Sequence, residues 1–141
     1  MSIVETHSGK VEGETQDGVS LFKAIPFAAP PVGDLRWLPP QPVTPWAGVR
    51  KADKFSDRSL NASMMDQLFG GSPWPQSEDC LYLNVWTPGA DTKKRPVMVW
   101  IHGGGFVLGS GSEPIYMADR LARRGDVVVV TNFGAAHAAE K

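Results

Sequence analysis

The stretch Val97-Met98-Val99-Trp100-Ile101-His102-Gly103-Gly104-Gly105-Phe106 constrains this chain most, because an apolar run passes directly into three consecutive glycines headed by a histidine. Runs of branched and aromatic residues favour extended backbone. Glycine lacks the Cβ that keeps other residues out of tight turns and holds the main chain away from a ligand. Backbone N–H groups gathered in such a turn can face an anion. One candidate anion is a phosphate; another is the oxygen of a tetrahedral intermediate in acyl transfer. The spacing argues against phosphate. Gly103 and Gly105 are followed by Leu108 where a dinucleotide fingerprint needs glycine, and Gly104 and Gly109 by Ser110 where a P-loop needs lysine.

Two further blocks join this one in a family resemblance. The first runs from Gly18 to Trp37, with Ile25-Pro26-Phe27-Ala28-Ala29-Pro30-Pro31-Val32-Gly33-Asp34-Leu35-Arg36-Trp37 at its core. The second is Ser77-Glu78-Asp79-Cys80-Leu81-Tyr82-Leu83-Asn84-Val85, and the glycine loop with its flanks, Pro96 to Ser112, is the third. In this order they resemble the type-B carboxylesterase and cholinesterase family of α/β-hydrolases, bacterial esterases in particular, over the chain as far as about Thr131. The resemblance implies an α/β fold in which small antiparallel N-terminal strands lead into a central, mostly parallel sheet. It also implies carboxylic-ester hydrolysis through an acyl-serine intermediate, with a small-molecule ester as partner and no cofactor.

Residue by residue, the resemblance makes Gly104 and Gly105 oxyanion-hole donors, supported by Gly103 and His102. A third donor would follow the nucleophilic serine, which in such enzymes sits in a Gly-x-Ser-x-Gly elbow. No such elbow occurs in these 141 residues, so the triad is expected to be absent and the chain to be inactive alone. The chain is accordingly expected to be an incomplete hydrolase domain over residues 1–141, with residues 132–141 a tail unlike the family. Gly134 stands there where the family has arginine. Arg36 is expected to pair with Glu78, Arg being suited to a carboxylate by its planar fork. Phe106 is a candidate for the substrate pocket, with Leu108, Trp74 and the Met64-Met65 pair as further candidates. A non-catalytic binding module, or a defunct gene product on the same scaffold, is the alternative.

Composition suits a globular chain: 42% of residues are hydrophobic, 21% are charged and the formal net charge is −1. That balance gives no footprint for nucleic acid, and the basic run Lys93-Lys94-Arg95 reads as a solvated loop. The N-terminus has no apolar leader core and no stretch has the length of a membrane span, so a cytoplasmic location is expected. Three scattered histidines and one cysteine show no metal-ligand spacing. Cys80 reads as a small buried hydrophobe at a strand start. In secreted members of the family this position resembles one half of a disulfide, whose partner is absent here.

Along the chain, residues 2 to 24 suggest short antiparallel strands joined by turns. Residues 25 to 48 hold seven prolines, which exclude a helix or central strand and predict an ordered, extended surface wrap. Leu60, Met64, Met65, Leu68 and Phe69 recur at helical spacing before Gly70-Gly71. Strands are expected over Leu81–Thr87, Pro96–Ile101 and Val127–Val130, the last covered on both faces, with a helix over Tyr116–Arg124 stopped at Gly125. Trp86 and Trp100 are predicted to lie in the core. The valine run is predicted to be the uncovered, aggregation-prone strand of so short a chain.

Overall fold

The computed structural model describes residues 1–60, 74–105 and 108–131. The helix expected from Leu60 onward, with Met64 and Met65, lies outside the described residues apart from Leu60 itself. Phe106 and the 132–141 tail lie outside them too.

The N-terminal strands form as predicted: β1 (Ser2–Thr6), β2 (Gly9–Gln16) and β3 (Val19–Pro26) make an antiparallel meander. Its turns fall at the polar and glycine positions between them. β4 (Val49–Lys51) lies parallel to the first half of β2, on the edge away from β1. β5 (Tyr82–Thr87) pairs antiparallel with β3, and β7 (Val127–Thr131) antiparallel with β5. β6 (Val97–Ile101) then lies parallel to β7, giving the order β1-β2-β3-β5-β7-β6 in a mixed sheet.

The β6–β7 pair is a parallel unit joined by a crossover that contains the glycine loop, a 3₁₀ turn at Pro114–Tyr116 and the helix α1 (Asp119–Ala122). α1 is shorter than the stretch predicted. Pro114 and Tyr116 fall in the separate 3₁₀ turn, and Gly125, at φ 113°, ends the segment after a single turn.

Alternation along the strands divides the apolar side chains between two clusters. On one face Trp86, Val128 and Val130 pack with Val19 under Ala118 and Ala122 of α1. On the other, Val11, Phe22 and Ala52 are buried, with Val4, Ile25, Trp46 and Val85 against them. Trp86 is wholly buried, as predicted.

Trp100 is not in the core: it is 44% exposed, its ring tilted against Tyr116 at 5.6 Å between centroids. The reason is topological. β6 is the sheet edge, and all five of its residues are 41–67% exposed. The same fact corrects the prediction for the valine run, whose Val128 and Val130 are buried because β7 lies inside the sheet, between β5 and β6. The uncovered apolar strand is β6.

The proline-rich segment is an extended wrap, with one 3₁₀ turn at Gly33–Leu35. The Trp46 amide donates to the Ser8 carbonyl at 2.9 Å, and its indole N–H to the Lys10 carbonyl at 2.9 Å. The Ala29 amide donates to the Gln41 carbonyl at 2.9 Å, folding the segment on itself. Prolines supply no backbone donors, so the remaining amides and the indole attach it.

Candidate active site

His102, Gly103, Gly104 and Gly105 stand immediately after the carboxyl end of β6, where open α/β sheets place their ligand-binding loops. Gly104 has φ 128° and Gly105 φ 60°. A side chain on Gly104 would overlap the Leu108 carbonyl oxygen, and the Leu108 amide donates back to the Gly104 carbonyl at 3.2 Å. Both conformation and space therefore demand glycine at 104. A Cβ at Gly103 or Gly105 would meet no described atom within 4 Å, so neither position needs glycine for space.

Behind the turn lies a second glycine, Gly109, at φ 94°. A Cβ there would come within 2.7 Å of the Gly103 carbonyl oxygen and 2.9 Å of His102 Nδ1. Close approach of the two backbone segments thus depends on both loops being bare. Ser110 and Ser112 are buried beneath, the Ser112 amide donating to Ser110 Oγ at 2.9 Å. The Trp74 indole N–H donates to the Ser112 carbonyl at 2.9 Å, and its ring packs on Phe55 at 5.3 Å. Trp74, a candidate for lining a substrate pocket, is thereby tied to the loop's support.

His102 is only 4% exposed. Its Nδ1–H donates to the neighbouring Gly103 carbonyl at 2.8 Å, which puts the proton on Nδ1 in the neutral ring. Burial disfavours the imidazolium and lowers the pKa from its ordinary value, with the Gly103 bond opposing in part.

Arg36 and Glu78 meet in two parallel bonds, Nε to Oε1 at 2.5 Å and Nη2 to Oε2 at 2.7 Å. The carboxylate beside it, first by hydrogen bonding and then by charge, raises the Arg36 pKa further. Within the same second block, Cys80 is fully buried and its thiol is pushed up to about 11, chiefly by desolvation. Arg95, from the basic run, makes a bidentate pair with Asp91 at 2.6 and 2.8 Å, while Lys93 and Lys94 are exposed. Among the described residues no group of three His, Cys, Asp or Glu side chains could hold a metal ion, and no helix is long and apolar enough to cross a membrane.

Asn84 was not singled out by sequence reasoning. It is 1% exposed, accepts from the Ala24 amide at 3.1 Å and donates to the Gly111 carbonyl at 3.4 Å. The signal available was a lone amide on the inward-facing side of an otherwise apolar strand.

The mixed sheet, with a glycine turn after its parallel edge strand and a helical crossover behind it, is that of the N-terminal portion of an α/β-hydrolase, as its likeness to solved esterases shows. The chain belongs to the carboxylesterase family, whose family model matches residues 1–133. It is 47% identical over 129 residues to the para-nitrobenzyl esterase of Bacillus subtilis (strain 168), a match covering 92% of this chain and 26% of that protein. It is 48% identical over 131 residues to the fumonisin B1 esterase of Sphingopyxis macrogoltabida, covering 92% and 24%. Among solved structures, a carboxylesterase of Geobacillus stearothermophilus superposes with a TM-score of 0.83 at 46% identity, covering 94% of this chain and 26% of that one. The chain thus spans about a quarter of the length of these relatives.

Proposed function

We propose that the His102–Gly105 turn is the oxyanion-binding element of a serine carboxylesterase. The single observation that carries this reading is Gly104, whose conformation and packing require glycine in the turn after β6. In the reading, the Gly104 and Gly105 amides stabilise the negative oxygen that develops as an ester carbonyl becomes tetrahedral. His102 is a buried neutral support that holds the Gly103 carbonyl. The general base is assigned elsewhere, since the ring is only 4% exposed and burial lowers its pKa, leaving it shielded and weakly basic.

Atom by atom, the reaction begins when a serine hydroxyl adds to the carbonyl carbon while a base takes its proton. The tetrahedral intermediate then expels the alcohol, which regains a proton, and water releases the acid from the acyl-enzyme. No cofactor enters. The serine, its histidine and the acid are assigned to sequence that these 141 residues do not contain, so the chain alone supplies only the hole. The partner is a small-molecule carboxylic ester, the class of compound named in the para-nitrobenzyl esterase relative. Arg36 and Glu78 are assigned a structural role, pinning the proline-rich wrap.

The test is a chimera in which residues 1–131 replace the matching segment of the para-nitrobenzyl esterase. It is expected to hydrolyse p-nitrophenyl acetate. Gly104→Val keeps the N–H but must displace it, since its side chain would overlap the Leu108 carbonyl; kcat is expected to fall about 10²–10³-fold, the cost of losing an oxyanion donor, with KM little changed. The 141-residue chain alone is expected to resist labelling by a fluorophosphonate. A folded but inactive chimera would overturn the reading in favour of a non-catalytic module. Labelling of the chain alone would overturn the assignment of the nucleophile to other sequence.

A further inference from the structure

The carboxamide of Asn84 is sealed inside the sheet, on the same face of β5 as Trp86. A buried amide persists where backbone groups need it. Two do. The β3–β5 ladder breaks register between Phe22 and Ile25, and Ala24, at φ 53° in that bulge, gives its N–H to Asn84 Oδ1. The other partner is the Gly111 carbonyl, which accepts from Asn84 Nδ2. A donor at one end and an acceptor at the other fix which way the amide faces. A carboxylate of the same shape could satisfy only the first.

Gly111 belongs to the Gly109–Ser112 support, of which Ser110, Gly111 and Ser112 are buried, and Gly109 is the residue that fits against the Gly103 carbonyl and the His102 ring. A continuous path of contacts therefore runs from the β3 bulge through Asn84 to Gly111, and from Gly109 to the turn that carries Gly104. We propose that Asn84 is a positioning residue for the glycine turn, setting where its amides stand by holding the Gly109–Ser112 support against it. The catalytic meaning of this role rests on the oxyanion reading above; the positional claim does not.

Asn84→Asp in the 141-residue chain tests it by amide NMR. When protonated, the new carboxyl can still donate to the Gly111 carbonyl; when ionised, it presents oxygen to oxygen. The Gly104 and Gly105 amide signals are expected to move with pH in the variant beyond any movement in the wild type, which contains the same His102. Val11, in the other cluster, is expected to keep its wild-type signal. Glycine signals that follow the wild type at every pH in a folded variant would overturn the proposal.

If Asn84→Asp does not fold, Asn84→Ser, neutral and too short to span both partners, carries the test. It is expected to displace the same two glycine signals, and wild-type positions for both would overturn the proposal. An inactive chimera would remove the oxyanion reading and leave this result standing. Unmoved glycine signals beside an active chimera would remove only the positioning role.

Discussion

At one margin of the sheet, β4 carries Arg50 and Lys51 and β1 alternates exposed with half-buried residues; at the other, β6 offers Val97, Met98, Val99, Trp100 and Ile101, all exposed. Charges at an edge discourage another strand from pairing there, and a flat apolar edge invites it. The first margin is also tied down by the wrap through Trp46, whereas on the α1 side of β6 there is an apolar recess of about 140 Å³ among Met98, Trp100, Ile115 and Leu121. The candidate catalytic turn thus hangs from the less protected strand. From behind, the turn is held by Gly109, which fits against the Gly103 carbonyl and the His102 ring.

The sharpest way to break this contrast is to remove a residue from each region. Trp86→Ala empties the cluster beneath α1 and is expected to cost about 3–5 kcal/mol, as large aromatic deletions in cores do. Val99→Ala on β6 is expected to stay within about 1 kcal/mol, the span of strand propensity at an exposed site. Urea unfolding followed by circular dichroism measures both. Similar losses at the two positions would mean that β6 is as well supported as β5.

Association separates the margins next. The wild-type chain is expected to self-associate with rising concentration through β6, and Val99→Lys to suppress this while leaving the unfolding midpoint nearly unchanged. Sedimentation velocity measures it. Equal association in Val99→Lys and wild type would move the sticky surface elsewhere, for example to the groove between Ile3, Phe22 and Val85.

Much of this was legible in the sequence, and the parts that were not share a cause. The meander, the wrap and the strand at Tyr82–Thr87 follow from turn residues, proline chemistry and local alternation. The glycine turn was legible because its spacing excludes phosphate motifs and its flanks resemble a family. Trp100 and the valine run were misjudged together. Local pattern tells that a strand is apolar, but not whether it lies inside the sheet or at its edge, and β7, later in sequence, takes the inner place. Asn84 escaped notice because its partners stand 60 and 27 residues away. Its role is a property of the bulge and the loop it joins, neither of which a strand pattern contains.

His102 sharpens the claim that the turn is held from behind. Its native pKa lies below the ordinary value of 6.5, so the unfolded chain binds a proton before the folded one does. Stability is then full above about pH 6.5 and is lost as pH falls through the native pKa, since unfolding takes up a proton in that window. Replacement by Gln should flatten this part of the profile. Denaturation midpoints between pH 5 and 8 measure it, and a wild-type profile identical to that of His102→Gln would show that the ring is not buried neutral.

The smallest effect is expected at Arg36, and it tests the other margin. Its pair with Glu78 is bidentate, yet the Arg36 side chain is 43% exposed and that of Glu78 27%, so water and salt screen the attraction. Arg36→Ala should therefore shift the global midpoint little. What it should change is local: the pair joins the wrap to the segment before β5, where the Phe27 amide also donates to the Leu81 carbonyl at 3.2 Å, while the Trp46 bonds fasten the wrap's other end. Limited proteolysis between Pro30 and Pro45 is expected to quicken severalfold in Arg36→Ala, and partly in Arg36→Lys, whose ammonium lacks the fork. High salt should narrow the difference. A wild-type rate of cleavage in Arg36→Ala would mean that the backbone and indole bonds alone hold the wrap. The two margins would then differ by their hydrogen bonds and edge charges, with no contribution from this ion pair.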